Sequence, residues 1–592
     1  MDLSGPASRH LDDIYDIVIV GAGTAGCVLA NRLTEVPEFS VLLMEAGEDK
    51  NEDARIKIPA LSGQLFGNDE FDWKYLSEPQ RSLHDRTIHH PRGKVVGGST
   101  GPSVLGNKEW DWEHTQPYWK KFQTVNMPNQ EVKDFLEVDY VDPKLQTAGP
   151  IQASFPSSKD PLQKAWVETF KNLQLKRQTD PLSGTSIGGY TSSCSVTSTS
   201  ERSHAGVGYY DAAKHRPNLH LATKAHVQKI LFHEGSLGLG GFIASGVQFI
   251  HDGIPKVVRA RREVIICAGA FGSPELLELS GIGSTGLLEN HGISIVYNNP
   301  NVGENLQDHM FCGSSFEVND DVRTMDRLRE MSAREEAFGQ YQESRTGPLA
   351  DGPSYTFAYV PLNNHEPENL EPTIAQLFQE HKNVLNENPS PAAKLQHKII
   401  QQLVESTSEA TAVHFLARRQ FHLEKSIPAE IFAPTDSANY ISTIGMLTHP
   451  LSRGNVHIVS AKGSDKPAID FKYIHMMFHE KLARTEPLAS LLKHDGKRLP
   501  PGKDSTTLAN AIELIRSSAM TNYHPCGSCA MMSEDLGGVV NSSLVVYGTQ
   551  NLRVVDASVI PLIPRGNIKT TVYMLAEKAA DIIKEDLESS SI

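Results

Sequence analysis

Residues 15 to 45 hold the feature that most narrows what this chain can fold into. The run Tyr15-Asp16-Ile17-Val18-Ile19-Val20 is β-branched and almost wholly apolar, as a strand buried on both faces must be. It ends in Gly21-Ala22-Gly23-Thr24-Ala25-Gly26, followed by a helical stretch, Cys27 to Leu33, and a second apolar run, Ser40 to Glu45. Strand, glycine turn, helix and strand make one βαβ unit carrying a dinucleotide fingerprint. Gly21 allows the tight turn, Gly23 lets backbone amides approach a pyrophosphate, and Gly26 lets helix and strand pack closely. Thr24 and Ala25 stand at the helix N-terminus, whose N–H donors and partial positive charge suit phosphates. Glu45 closes the second strand, about twenty residues past the last glycine, where a carboxylate accepts hydrogen bonds from a ribose diol. A dinucleotide is expected. The motif does not separate FAD from NAD, because both carry an ADP half.

The chain has 592 residues, beyond the ~250–300 at which a single core stops growing, so two or more domains are expected. Apolar strands recur at Glu263 to Cys267 and Leu552 to Val555, so the nucleotide-binding domain is assembled from distant pieces. Residues 12–50, 85–150, 215–312 and 520–592 are assigned to it, and 51–84, 151–214 and 313–519 to a substrate-binding domain. In the second, Pro161 to Glu201 is rich in Ser, Thr and Gly, and Asp326 to Ser406 is charged and reads as helical. Tyr440 to Phe471 supplies strands around a turn at Pro450-Leu451-Ser452-Arg453-Gly454.

Charge and composition trim the function classes. A formal net charge of −15 argues against nucleic acid as a partner. No run reaches the ~18 apolar residues that a membrane span needs. Six cysteines in so long a chain do not make a disulfide framework, and Met1 to Tyr15 carries no apolar run, so a cytoplasmic location is expected.

Later segments decide the cofactor. They are Gly269-Ala270-Phe271-Gly272-Ser273-Pro274-Glu275, Asn301-Val302-Gly303-Glu304-Asn305-Leu306-Gln307-Asp308-His309, Tyr523-His524-Pro525-Cys526-Gly527-Ser528-Cys529, and Asn551 to Ser558 with Pro564-Arg565-Gly566-Asn567. Together they resemble the blocks of the glucose-methanol-choline (GMC) oxidoreductases, from about Asp16 to the final helix and most thinly from Asp326 to Ser406. The resemblance implies an α/β, Rossmann-like FAD-binding domain built from discontinuous segments, and an α+β substrate domain with an antiparallel sheet. It implies FAD, its ADP half on Gly21 to Glu45 and Val227 touching the adenine end. It makes Arg92 to Thr100, with Gly97, Gly98 and Ser99, the flavin-contacting loop, and it has Asp556 with Ala557 and the Asn567-Ile568 backbone hold the ribityl chain and flavin edge. The substrate implied is an alcohol, most like the aromatic or polyketide-type alcohols of intracellular fungal members, with O2 or another acceptor reoxidising the flavin.

Hydride leaves an alcohol carbon for flavin N5 readily only when the hydroxyl proton is removed as charge develops, which calls for a base of near-neutral pKa. His524 is the candidate base, and Asn567 the polar partner of the same substrate oxygen. Any one of 24 histidines is by prior a packing or surface residue, but Tyr-His-Pro in this context reverses that. His309 reads as structural, His89-His90 as an exposed pair, and Cys526-x-x-Cys529 as packing, since no second cysteine pair completes a metal set. The alternative is a flavin-containing lyase or cyclase with no net redox, or a homologue whose flavin site is impaired. The last rests on Gly101-Pro102-Ser103-Val104, which joins two family blocks directly where an Asn-containing strand and turn normally intervene.

Overall fold

A computed structural model describes residues 11–97, 109–142, 148–157, 159–175, 177, 180–181, 187–233, 241–351, 355–362, 375–376, 378–379, 381–382, 390–425, 428–434, 436–473, 484–502 and 507–589. Gly98, Ser99 and the shortened join at 101–104 lie outside these residues.

Among the described residues, one seven-stranded sheet is centred on Ile14–Val20 and the long strand Ile254–Ile266. Ile14–Val20 pairs in parallel with Val41–Met44 on one side and with Ile254–Ile266 on the other. Leu219–Ala222 extends the parallel part beyond Val41–Met44. The N-terminal half of Ile254–Ile266 is the arm of a hairpin, antiparallel to Ala244–His251 and through it to Ala225–Phe232. Its C-terminal half pairs in parallel with Leu552–Val554. One strand thus carries two sheet types because its partner changes along its length. Ile17, Val18, Ile19, Val41, Leu42 and Leu43 are fully buried, as the wholly apolar runs require when helices cover both faces. The helices Thr24–Leu33 and Lys569–Ser589 pack together on this sheet, with Val28, Leu29, Val572, Leu575 and Ala579 in one core.

The second sheet is antiparallel in every pair, in the order Arg498–Leu499, Met310–Glu317, Tyr440–Leu447, Ala412–Ala417, Thr356–Val360, Gly188–Thr191. Helix Pro161–Asn172 covers one face, where Leu162, Trp166 and Phe170 meet Ala358, Val360, Leu416 and Ile441. Thr356–Val360 is a strand inside the stretch that reads as helical; helices Met331–Ser344 and Pro391–Glu405 flank it. Alternation over five residues is too short to stand out from a charged neighbourhood. Met310–Glu317 runs through residue 312, and Met520–Thr521 pairs with its first two residues, so register places both in the second sheet. That pairing brings the chain at residue 522 to the seam between the two sheets.

Candidate active site

The C-terminal ends of the parallel strands open into a cleft, where an α/β sheet holds its ligands. About 1180 Å³ of space lies between its walls, part of it open to solvent, and the walls include Gly21, Gly23, Thr24, Ala25, Glu45, Val227, Asp556, Ala557 and Ile568. These nine residues come from four distant stretches of sequence, and the fold brings them to one place. Gly21 sits at φ +103°, and a Cβ there would come within 2.4 Å of the Cys267 carbonyl oxygen. A Cβ on Gly26 would fall 1.9 Å from the Gly21 carbonyl oxygen, so Gly26 serves the packing behind the cleft and not the cleft itself. A Cβ on Gly269 would meet nothing within 4 Å, so a side chain there would project into the cleft.

Two helix N-termini, at Thr24 and Gly269, face this space with no side-chain cap. The Gly269 N–H is taken by Asp556, and the remaining first-turn N–H groups are left for oxyanions. Glu45 is held from behind: Oε2 accepts from the Ala22 N–H at 3.0 Å and Oε1 from the Gly47 N–H at 2.9 Å. Each oxygen keeps a lone pair for a diol. Asp556 lines the cleft: Oδ2 accepts from the Gly269 N–H at 2.8 Å and from Ser273 Oγ at 2.5 Å, and Oδ1 accepts from the Ser558 N–H at 2.8 Å and keeps a lone pair. These bonds fix the turn that presents Gly269 and Ala557. Gly97 sits beside the fingerprint, donating its N–H to the Ala22 carbonyl at 2.7 Å and accepting from Thr24 Oγ1 at 3.1 Å. Two helix N-termini aimed at the cleft, a carboxylate with free lone pairs and glycine positions that let a ligand reach the backbone suit an adenine dinucleotide, so the residues present fit FAD.

Pro525 lines the cleft too, and His524 lies behind it. Tyr523 is left-handed, φ 63°, a strained conformation for a bulky residue. Three contacts hold it. Arg92 Nη2 donates to the Tyr523 carbonyl at 2.7 Å, the Tyr523 N–H donates to Thr521 Oγ1 at 2.8 Å, and the His524 N–H donates to Asp308 Oδ1 at 2.9 Å. Asp308 is sealed, its other oxygen accepting from Tyr473 Oη at 3.0 Å, and burial pushes its pKa up to about 6.

The tautomer of His524 follows from its neighbour. His309 Nε2 is 2.8 Å from the Thr448 carbonyl oxygen, which only accepts, so Nε2 carries the proton. Burial lowers the His309 pKa to about 4; its ring is neutral and Nδ1 offers a lone pair. That lone pair stands 3.0 Å from His524 Nδ1, which therefore holds the proton of the neutral ring. His524 Nε2 is left as the acceptor. Burial, then the neighbouring His309 ring and the positive charge of Arg92, which disfavour a second cation here, push the His524 pKa well below its ordinary value.

His309 is thus a hydrogen-bond partner of the His524 ring and does not stand apart from it; its place beside Asp308 in Gln307-Asp308-His309 was the available sign. His90 is not exposed: it is fully buried and stacks on Phe471 at 4.5 Å. All six cysteines are free, Cys526 and Cys529 fully buried in the core. Asn567 is solvent-exposed, and among the described residues no hydrogen bond joins it to His524.

Comparison with known proteins identifies the class. Residues 15–311 match the N-terminal and residues 450–576 the C-terminal model of the GMC oxidoreductases. The chain belongs to the GMC oxidoreductase family, and it is an FAD-dependent oxidoreductase. It is 32% identical over 614 aligned residues to "Dehydrogenase mpl7" of Monascus purpureus, spanning 97% of this chain and 96% of that one. It is 30% identical to the oxygen-dependent choline dehydrogenase of Cronobacter sakazakii over 96% and 95% of the two chains. Among solved structures, an FAD-dependent oxidoreductase from Chaetomium thermophilum matches with a TM-score of 0.83 at 27% identity, covering 97% of this chain and all of the other.

Proposed function

We propose that the protein oxidises an alcohol bearing an aromatic group, with His524 Nε2 taking the hydroxyl proton. The observation that carries this is the aromatic face of the second sheet, which Leu423 and Ile431 cover only in part. Along Thr356–Val360 the residues turned to the helix, Ala358 and Val360, are fully buried, while Phe357 and Tyr359 on the other side are only half-buried. Half-buried aromatic side chains beside fully buried ones on the same face are suited to line a substrate. Phe357 and Phe415 lie 5.9 Å apart, Phe311 and Phe415 6.1 Å, and Tyr190 and Tyr359 are near-parallel at 6.1 Å. This face ends at the histidines: Met446 Sδ accepts from Asn522 Nδ2 at 3.0 Å, and the Asn522 N–H donates to the His309 carbonyl.

FAD, when bound, supplies the two-electron acceptor; the chain's residues manage the proton. Neutral His524 accepts it at Nε2 while Nδ1–H continues to donate to His309. The charge gained is spread over two rings without a second proton transfer. Asn567, exposed beside the turn at Gly566, is the donor we assign to the substrate oxygen. Residues Arg92 to Gly97 close the cofactor side.

Anaerobic mixing with benzyl alcohol, read as bleaching of oxidised flavin absorbance, tests the reading. Choline is the control, because aromatic rings also attract a quaternary ammonium. Bleaching by the aromatic alcohol at least tenfold faster than by choline is expected; the reverse order overturns the substrate class, and bleaching by neither overturns alcohol oxidation.

A further inference from the structure

Two cations near the first turn of the terminal helix lack a counter-ion among the described residues. Among the described residues, the Arg202 guanidinium and the Lys569 ammonium make no hydrogen bond and no ion pair, and each keeps part of its surface accessible. Burial, then the charge of Arg202, lowers the Lys569 pKa to about 8, and burial also lowers that of Arg202. His204, 9% exposed, stands with them and its ring has no hydrogen-bond partner among the described residues. Burial, then the charges of Arg202 and Lys569, bring its pKa to about 3.

Their position is defined by packing. Lys569 opens the 21-residue terminal helix and follows Ile568, which lines the cofactor cleft. One turn on, Tyr573 Oη is sealed from water, its ring stacked against Tyr209 at 5.9 Å and Phe122 at 5.0 Å. His204 Nδ1 lies 2.7 Å from where a Cβ on Gly97 would sit. Gly97 is bonded to Ala22 and Thr24, so the group stands between the first turns of the two helices that pack together.

Unpaired buried charge is costly, and these positive groups lie beside a helix N-terminus whose dipole has the same sign. Such an arrangement is tolerated where an anion completes it. We propose that Arg202, Lys569 and the first turn of the terminal helix form a seat for a planar oxyanion entering from the Ile568 end of the cleft. The proposal rests on FAD as the cofactor. Two sources share the chemistry: the pyrimidine edge of the flavin, which gains negative charge on reduction, and a carboxylate carried by the substrate.

Lys569→Met and Arg202→Met remove the charges and keep aliphatic bulk; Lys569→Arg keeps the charge. Each is made in the FAD-loaded protein and read by benzoate affinity, from the flavin absorbance shift, and by the flavin midpoint potential. Benzoate binding weakened tenfold or more in both Met variants, with the potential unchanged, assigns the seat to a substrate carboxylate. A potential lowered by about 30 mV, a tenfold change for a two-electron couple, assigns it to the flavin edge. In either case Lys569→Arg retains the parent behaviour, and the Met variants melt no lower than the parent in low-salt buffer, because an uncompensated charge has gone. Unchanged benzoate affinity together with an unchanged potential overturns the seat, whatever the melting temperature. Lys569→Gln gives the same readouts should methionine not be accommodated. None of these measurements uses alcohol turnover, so failure of the substrate assignment and failure of the seat are told apart.

Discussion

The two sheets meet their ligands with different parts of the chain. In the parallel sheet, both faces are covered and the strand ends present main chain: Gly21, Gly23 and Gly269 line the cleft with backbone and no side chain. In the antiparallel sheet, helix Pro161–Asn172 covers one face, and the other presents Phe311, Phe357, Tyr359 and Phe415 as side chains. A nucleotide with fixed phosphates and a fixed diol is gripped by backbone geometry that admits little change. A variable substrate is gripped by side chains, any of which can be exchanged without disturbing a strand. His524 stands at the seam, its backbone N–H fixed by Asp308 and its ring by His309.

The largest effect is expected at that seam. His524→Ala should leave a folded, yellow protein whose flavin is reduced by substrate about 10²- to 10⁴-fold more slowly, the usual worth of a positioned base. Because the His524 pKa is lowered, the basic form persists below pH 6.5 in the parent, so the acid limb of its stopped-flow reduction profile should fall below that pH. Equal reduction rates in variant and parent would remove His524 from the mechanism.

Next comes the main-chain side of the comparison. Glu45→Ala deletes two acceptors for the diol and strips the Ala22 and Gly47 amides of their partners, while touching no reacting atom. At about 1–3 kcal/mol per lost buried hydrogen-bonding group, FAD should bind roughly 10- to 100-fold more weakly, as measured by equilibrium dialysis. The reduction rate of the molecules that retain FAD should change little. On the side-chain half, Phe415→Ala should raise KM for benzyl alcohol about tenfold, within the worth of one buried aromatic contact. FAD affinity should be untouched. A loss of FAD in Phe415→Ala would show that the two halves are not separable.

The same division explains what was legible in the sequence. Gly21 to Glu45 could be read because a phosphate turn dictates residue type at fixed spacing, and the strands at 263 and 552 because burial on both faces demands apolar runs. The aromatic face could not: Tyr190, Phe311, Phe357 and Phe415 lie on four strands, and only the register of Phe357 with Tyr190 and Phe415 makes them neighbours. The strand Thr356–Val360 was hidden for the same reason. His309 was visible as a residue but not as a partner, since its role depends on a ring nitrogen 215 positions away in sequence. His90 misled because a histidine pair reads as polar, whereas stacking on Phe471 removes it from water.

The smallest effect sharpens the comparison by testing a clip between distant parts of the chain. His457 Nδ1 lies 2.7 Å from Glu278 Oε1 and its Nε2 3.0 Å from Glu304 Oε1. Glu278 belongs to the helix whose N-terminus faces the cofactor cleft, and His457 ends the strand Asn455–His457 that follows the second sheet. Burial opposes the charged ring, but the hydrogen bonds to the two carboxylates prevail and raise the His457 pKa to about 9. A histidine raised from about 6.5 contributes stability that is fully present below pH 6.5 and is lost as pH climbs through 9. His457→Gln keeps hydrogen-bonding capacity and cannot titrate, so its melting temperature should be nearly flat over that window. The parent should exceed it by about 1–2 °C at pH 6 and converge with it above pH 9.5. Parallel melting curves across the window would mean that the clip holds by hydrogen bonding alone and carries no charge.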